Sequence, residues 1–545
     1  MYEKLSYMLN ANTSNNPSVA QQLMGLSFDE IVAKFIETQN IYDQQQSILD
    51  QQQVILDAQN AILANSSDEL KNKDLKIAQL TFEIATLKRL KYGKKSEQLA
   101  ADQFKLFDDA ILADISEIEQ ELKVVNGGQA SVGEMPKPRK AAFPAEFPRT
   151  EIHHELDATC NCGCEMKRIG EDVTEKLDYT PGIFTVEKHI RGKWACAHCK
   201  TLTQAPVPAQ IIDKGVATPG LLAHVLIAKY ADHLPLYRQQ QIFGRAGLVI
   251  PRSSMADWVG QCGAALQPLV EALKTEVLKH NVLHADETPV ATLSPGDGKT
   301  HRSYIWAYAP GQFDDLKAVV FDFCESRSGE HNRKFLGNWK GSLVTDDYSG
   351  YKYLFHSGIE EVGCMAHARR KFFDLYENNK SPMAKQALEF IQQLYEVERE
   401  VKDLSAEERW KIRQSRGIPI ADEMHQWLLS HRLKISDGSA GAKAMDYSIK
   451  RWSALVRYLD NGQLPIDNNL IENTIRPIAL GKKNWLFAGS QRAGKRAAAA
   501  MSLIQSAKMN GLDPYAYIKD VLERLPTHKN HLIHELLPHN WKPRT

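Results

Sequence analysis

A multidomain α/β fold is predicted by three observations along the 545 residues. An apolar seven-residue repeat lies within a stretch, Leu26 to Tyr92, that has neither glycine nor proline. Five of the eight cysteines fall between Cys160 and Cys199. A block of short β-branched and aromatic runs, residues 282–363, is set between long stretches of helical pattern. A chain of this length exceeds one core, and 43% hydrophobic residues indicate globular packing rather than disorder. The formal net charge is zero, so bulk charge neither supports nor excludes a polyanionic partner. No apolar run approaches the roughly 20 residues that span a bilayer, and the start MYEKLSYMLNANTSNN lacks the apolar core of an export signal. A cytoplasmic location is expected.

Residues 1–125 read as a coiled-coil arm. Leu49, Leu56, Leu63, Leu70, Ile77 and Ile84 recur every seven residues, Ile41, Ile48, Ile55 and Ile62 form a neighbouring row, and Leu80 and Leu87 fill the alternate seam. A sustained seven-residue repeat keeps one stripe facing a partner helix, so the arm is expected to join copies of the chain. Residues 126–150, rich in Gly, Pro and small residues, read as a linker. Residues 151–212 carry CNCGC and, about 30 residues on, CAHC. Clustered cysteines in a reducing compartment point to metal before disulfides, and two pairs flanking a β-rich segment match a zinc ribbon. Cys196 and Cys199 supply one pair for structural Zn²⁺; Cys160, Cys162 and Cys164 compete for the other two places.

Residues 213–275 are helical by pattern, with helices over Leu221–Tyr230 and Pro235–Arg245 and a third opened by Ser254 with Asp257 three residues on. That helix-turn-helix-like order can lay a helix in a DNA major groove. The runs VLHADETPV, YIWAYAP, KAVVFDF, SLVTDDY and IEEVGC then predict the strands of an α/β domain. Its first part is residues 276–365, interrupted by a helical insertion at 366–460; its last part is 461–500, and 501–545 form a C-terminal helical segment.

Two acids, Asp286 and Asp346, end apolar strands, and Glu472 stands near the start of a helix. Clustered carboxylates repel unless a cation neutralises them, and Mg²⁺ or Mn²⁺ takes such oxygen ligands. Two ions about 3.5–4 Å apart can serve both the attacking and the leaving oxygen of a phosphoryl transfer. Residue pattern alone leaves Asp347 as a rival of Asp346, since strand neighbours point to opposite faces, and Asp467 as a rival of Glu472, although Asp467 also fits a helix cap.

The pieces HADETPV, LVTDDYSGY, GCMAHARRKFFD, IDNNLIENTIRPIALGKKNWLFAGS and SLIQSAKMNGLDPYAYIKDVL closely resemble transposases of the insertion-sequence-66 family. The resemblance extends upstream through EDVTEKLDYTPGIFTVEKHIRGKWAC and KRLKYGKKSEQL. It implies a ribonuclease-H-like catalytic core and a DDE mechanism, with Asp286, Asp346 and Glu472 as the metal-binding triad. It also implies double-stranded DNA partners, the element's terminal repeats and a target, and accessory proteins encoded beside the transposase. Cys364 and His367, in GCMAH, match a Cys-x-x-His element near the second acid and are expected to support the active site. Arg369, Arg370 and Lys371 follow it and can meet a phosphate. GSQRAGKR has the skeleton of a phosphate loop, but Arg496 stands where Ser or Thr would hold Mg²⁺. It reads instead as a basic loop in which Arg492, Lys495 and Arg496 meet DNA, with Arg476, Lys482 and Lys483 in the same basic region. A zinc-dependent DNA-binding regulator, or an inactive relic with vestigial acids, would share the arm, ribbon and helical module; metal-dependent nicking separates the readings.

Overall fold

The computed structural model describes residues 27–92, 101–125, 143, 145, 147–154, 166–180, 182–293 and 299–544. Two units are present, residues 1–81 and 82–545. The first is described from Ser27 and consists of the helix α1 (Phe28–Tyr92), which runs on into the second unit. Of its heptad residues, Leu49, Leu56 and Leu70 are 57%, 50% and 60% exposed, whereas Leu80 of the alternate seam is buried.

In the second unit, α2 (Ala101–Val125) buries Ile111 and Ile118. The expected arm of 1–125 is therefore shorter, because α2 packs into the main body, where the Ala113 carbonyl lies against Gly260. Strands β1 (Arg149–His154), β2 (Met166–Thr180), β3 (Ile183–Cys196) and β4 (Leu202–Gln204) form a first sheet, with β3 central, β2 antiparallel to it and β1 parallel. Helices α3 (Pro219–Tyr230), α4 (Leu236–Arg245) and α5 (Arg252–Val277) follow. The third begins at Arg252, two residues before the expected cap at Ser254; Asp257 instead accepts a hydrogen bond from Ser116 of α2 at 2.6 Å.

Strands β5 (Val282–Leu293), β6 (Thr300–Pro310) and β7 (Val320–Cys324) make an antiparallel meander. Through α6 (Gly329–Leu336) the chain crosses to β8 (Ser342–Thr345), and through α7 (Lys352–His356) to β9 (Glu360–Gly363). Strands β8 and β9 run parallel to β5, giving the order β7-β6-β5-β8-β9. Strand side chains alternate between faces. Leu283, Ala285 and Leu343 therefore enter one core with Leu266 and Leu269 of α5. Val282, Val344 and Val362 enter a second core with helices α8 (Met365–Asn379), α9 (Pro382–Val401) and α11 (Ile418–Arg432). Around them lie α10 (Ala406–Ile412), α12 (Ala440–Lys450) and α13 (Trp452–Val456). This helical insertion is tied down by Arg413, fully buried, which pairs with Glu398 at 2.6 Å and donates to the carbonyls of Tyr458 and Asn461.

The chain then returns through α14 (Asn469–Trp485), α15 (Gln491–Met509) and α16 (Pro514–Arg524). The expected basic loop at GSQRAGKR is the start of α15: Ser490 caps it by accepting from Ala493, and Gly494 gives room to the Phe323 ring. Among the described residues no helix is long and apolar enough to cross a membrane.

Candidate active site

Register brings the first two acids together. His284 of β5 is level with Val344 of β8 in a parallel pair. Two residues further on in the chain stand Asp286, on the face of β5 shared by Val282, and Asp346, just past the end of β8. The two are close enough for Asp346 to act on the Asp286 carboxyl. Asp286 does not end its strand, as expected, but lies within β5, which continues to Leu293 against β6. Asp346 follows β8 directly, where its carboxylate accepts the Tyr348 N–H at 2.9 Å.

Glu472 arrives from the first turn of α14. Its helix is pinned to β5 by Asn468, a fully buried side chain that bridges three segments. The amide oxygen of Asn468 meets Nδ1 of His284 at 2.8 Å, and its NH₂ donates to the Ala285 carbonyl at 2.8 Å. Its backbone N–H donates to Cys364 Sγ at 3.2 Å. The buried His284 ring, its pKa lowered to about 4 by burial, is a neutral imidazole. Burial first, then repulsion from Glu287, Asp346 and Glu472, pushes the Asp286 carboxyl up to about 8. Asp286 therefore senses both Asp346 and Glu472, and holding its carboxyl ionised there calls for a compensating positive charge.

The rival acids are engaged elsewhere. Asp347 pairs with Arg451 and, at 2.9 Å, with Lys352. Burial acts to raise its pKa, but hydrogen bonds from these cations leave it below the ordinary value. Glu287 is held by Arg327 at 2.6 Å and by the Tyr351 hydroxyl at 3.1 Å. Asp467 accepts from Tyr395 at 2.7 Å and from the Asn469 backbone at 3.0 Å, one residue before the helix cap position, so it shapes the turn into α14. Among the described residues, no Lys, Arg or His forms an ion pair with Asp286 or Asp346.

Cys364 and His367 open α8 beside Glu472. His367 Nδ1 is 3.5 Å from Glu472 Oε1, and Arg370 reaches Oε2 at 3.4 Å. Arg369 is exposed, with its guanidinium over Phe373, and Lys371 lies over the Tyr447 ring. Arg476 and Lys483 are exposed on α14, while Lys482 donates to the Pro289 carbonyl at 3.3 Å. Two expected DNA contacts need correction. Arg492 is engaged by Glu83 at 2.7 Å and Glu121 at 2.8 Å, and Arg496 is buried between Asp114 and Glu117. The acidic stretch 108–121 is thus the internal counter-charge of this basic segment, and only Lys495 of the three is exposed.

Of the cysteine cluster, Cys196 ends β3, buried, and Cys199 stands in the turn before β4, its N–H donating to Cys196 Sγ at 3.5 Å. Such an amide-to-sulfur bond is how a zinc knuckle holds a thiolate. Cys160, Cys162 and Cys164 lie outside the described residues.

Residues 214–496 match the transposase IS66 family. This chain belongs to that family. Residues 502–539 match the IS66 C-terminal element, 157–200 the zinc-finger binding domain of transposase IS66, and 79–152 a segment described as the transposase C of IS166 homeodomain. Two curated relatives from Sinorhizobium fredii, the uncharacterized proteins y4jD and y4hP, are 36% and 34% identical to it. Each alignment covers 86% of this chain, with 95% of y4jD and 89% of y4hP. The match is to a transposase with a zinc finger, which supports DNA as partner and structural zinc at the cysteine cluster.

Sequence reasoning had no grounds to choose Asn468, His284, Arg327 or Arg451. The only trace of the first was the Asn-Asn pair after Asp467; Arg327 lies 40 residues from Glu287 and Arg451 lies 104 residues from Asp347.

Proposed function

We propose that this transposase cuts and rejoins DNA by a DDE mechanism, with Asp286, Asp346 and Glu472 holding two Mg²⁺ ions. The observation that supports the reading is the parallel pairing of β5 with β8, which leads the chain to Asp286 and Asp346, together with the electrostatic action of Asp346 and Glu472 on Asp286 and, among the described residues, the absence of any cation paired with either aspartate. A set of hard carboxylate oxygen donors fits Mg²⁺ or Mn²⁺. The strand order β7-β6-β5-β8-β9, three antiparallel strands followed by two parallel ones, supports a ribonuclease-H-like core.

When bound, such ions lower the pKa of water and stabilise charge on the attacking and leaving oxygens. The chain's own groups do the positioning. β5 carries Asp286 and β8 leads into Asp346; the Asn468 clamp fixes the start of α14 and with it Glu472, whose carboxylate faces His367 and Arg370 in this structure. Glu472 would be the third residue to hold the ions; Arg369, Arg476, Lys483 and Lys495, all exposed, would meet DNA phosphates, and Arg370, paired with Glu472, stands beside them. Hydrolysis of one strand at an element end frees a 3′-hydroxyl, which then attacks a target phosphodiester. One phosphodiester bond breaks as another forms, with no covalent intermediate on the protein.

Terminal-repeat binding falls to the zinc ribbon and to the helical module. Within that module α4 leaves Arg238, Gln241 and Arg245 exposed on one side, whereas α5 buries Met255, Ala256, Trp258, Val259 and Gly260, so α4 is the better groove reader. The exposed Leu49, Leu56 and Leu70 stripe supports pairing of two copies through α1, which would bring two element ends together. Accessory proteins of the same element would join this assembly. The test is Mg²⁺-dependent nicking and joining of terminal-repeat DNA. The account expects activity in the native chain and none in Asp286→Asn, with end binding retained in both. Binding without nicking in the native chain would favour the regulator reading, and nicking without a joined product would favour a simple nuclease.

A further inference from the structure

Beside the three acids lies a second arrangement with different chemistry. Cys364 Sγ, a ring nitrogen of His367 and a carboxylate oxygen of Glu472 all fall within 4.8 Å of one another. His367 Nδ1 and Glu472 Oε1 are both buried atoms with no hydrogen-bond partner, although they face each other at 3.5 Å. Two buried polar atoms that meet without bonding, next to a fully buried sulfur, are an unsatisfied set that costs free energy as it stands. A single cation between them would satisfy all three.

We propose that Cys364, His367 and Glu472 form a binding site for a borderline-soft divalent ion, Zn²⁺ in the first instance, and that its occupancy silences the transposase. The donor set decides the metal. Sulfur, imidazole and carboxylate with one open position is a zinc-type environment, whereas Mg²⁺ takes oxygen ligands in an octahedron. The site is supported from behind, since Cys364 Sγ accepts the Asn468 N–H, the kind of bond that steadies a thiolate ligand. Zinc bonds of about 2.0–2.3 Å put neighbouring ligand atoms roughly 3.5 Å apart, so side-chain shifts of about an ångström close the set. Cys364 loses its proton to solvent on binding.

The inhibitory role rests on the DDE reading above. Glu472 is common to both sets, and a carboxylate drawn toward Cys364 and His367 is withdrawn from Asp286 and Asp346. The second site therefore competes for one ligand of the first rather than blocking DNA.

The experiment uses the full chain stripped of metal, given a single equivalent of Zn²⁺ to occupy the cysteine cluster, and then titrated with Co²⁺. A thiolate-to-cobalt absorption band amounting to one further equivalent per chain is expected. The band is expected to vanish in Cys364→Ser and in His367→Ala, the latter a partly exposed position chosen in case loss of the buried thiol unfolds the protein. No band beyond that of the cysteine cluster, or an equal band in native chain and a folded variant, would overturn the site. In the second arm, Zn²⁺ is added to Mg²⁺-supported nicking, and each protein is compared with its own zinc-free rate. The half-inhibiting zinc concentration should rise on the order of 10-fold or more in His367→Ala. An unchanged value would remove the inhibitory role. A cobalt band with no nicking by any protein would sink the DDE reading and leave the site standing; nicking with no band would do the reverse.

Discussion

Asp286 and Asp346 each have an acidic neighbour, Glu287 and Asp347, and what separates the members of each pair is a cation. Arg327 and the Tyr351 hydroxyl hold Glu287; Arg451 and Lys352 hold Asp347. Replacing a triad acid should therefore remove chemistry. Asp286→Asn and Glu472→Gln are expected to lower strand transfer by on the order of 10³-fold, the scale of several kcal/mol of lost charge stabilisation, while gel-shift affinity for element ends is kept. Asp347→Asn should leave strand transfer measurable and cost stability on the order of 1 kcal/mol, because the nearly buried Arg451 keeps only Glu361, at 3.0 Å. His284 gives a pH signature. Its pKa is lowered to about 4 in the fold against about 6.5 when unfolded, so the native state excludes the proton. The contribution of His284 to stability is kept above pH 6.5 and lost as pH drops from there toward 4, by about 3 kcal/mol, while Asp286, raised to about 8, contributes with the opposite sign as it takes up a proton. The His284 part is read as the difference in urea midpoint between the native chain and His284→Gln, which should shrink as pH falls across that range.

At the scale of elements, the site is a joint between β5 and α14 closed by Asn468. Asn468→Ala leaves His284 and the Ala285 carbonyl without partners, at about 1–3 kcal/mol for each orphaned group, and frees the start of α14. Nicking should fall more than stability accounts for, read as a lower rate at a temperature where the variant remains folded. Much of this joint could be anticipated from pattern: alternating apolar runs gave the strands, and the acids fell on them. What could not be read was register. The parallel pairing of His284 with Val344 is created by a crossover through β6, β7 and α6, and no local rule favours Asp346 over Asp347 without it. Capping signals misled at Ser254, because the helix there begins from Pro251 and Asp257 is drawn to Ser116. Charge misled at Arg492 and Arg496 for a related reason. A basic run and an acidic run some 375 residues apart are each other's partners, and separation in sequence hides the pairing. Arg496→Met should destabilise by about 3–5 kcal/mol through the stranded Asp114, without changing the salt dependence of DNA binding. Arg476→Ala should instead reduce the salt slope by about one while leaving the urea midpoint in place.

For the whole molecule, the heptads, the cysteines and the change of period anticipated a long first helix, a sheet leading into the Cys196–Cys199 turn, a run of three helices, and a second sheet followed by a helical insertion. The exception is α2, whose helical pattern joined it to the arm although its buried face belongs to the core. The heptad stripe of α1 predicts association: Leu49→Asp with Leu56→Asp should convert the species seen by sedimentation to monomer and abolish paired-end joining, while single-end binding survives. All of this depends on three carboxylates sharing divalent ions. The most direct measurement is Mn²⁺ anomalous scattering from crystals of the chain bound to a terminal-repeat end. The account predicts density bridging Asp286 and Asp346, with Glu472 turned from His367 and Arg370 to complete the coordination. Manganese held without Glu472, or none between the two aspartates, would contradict it.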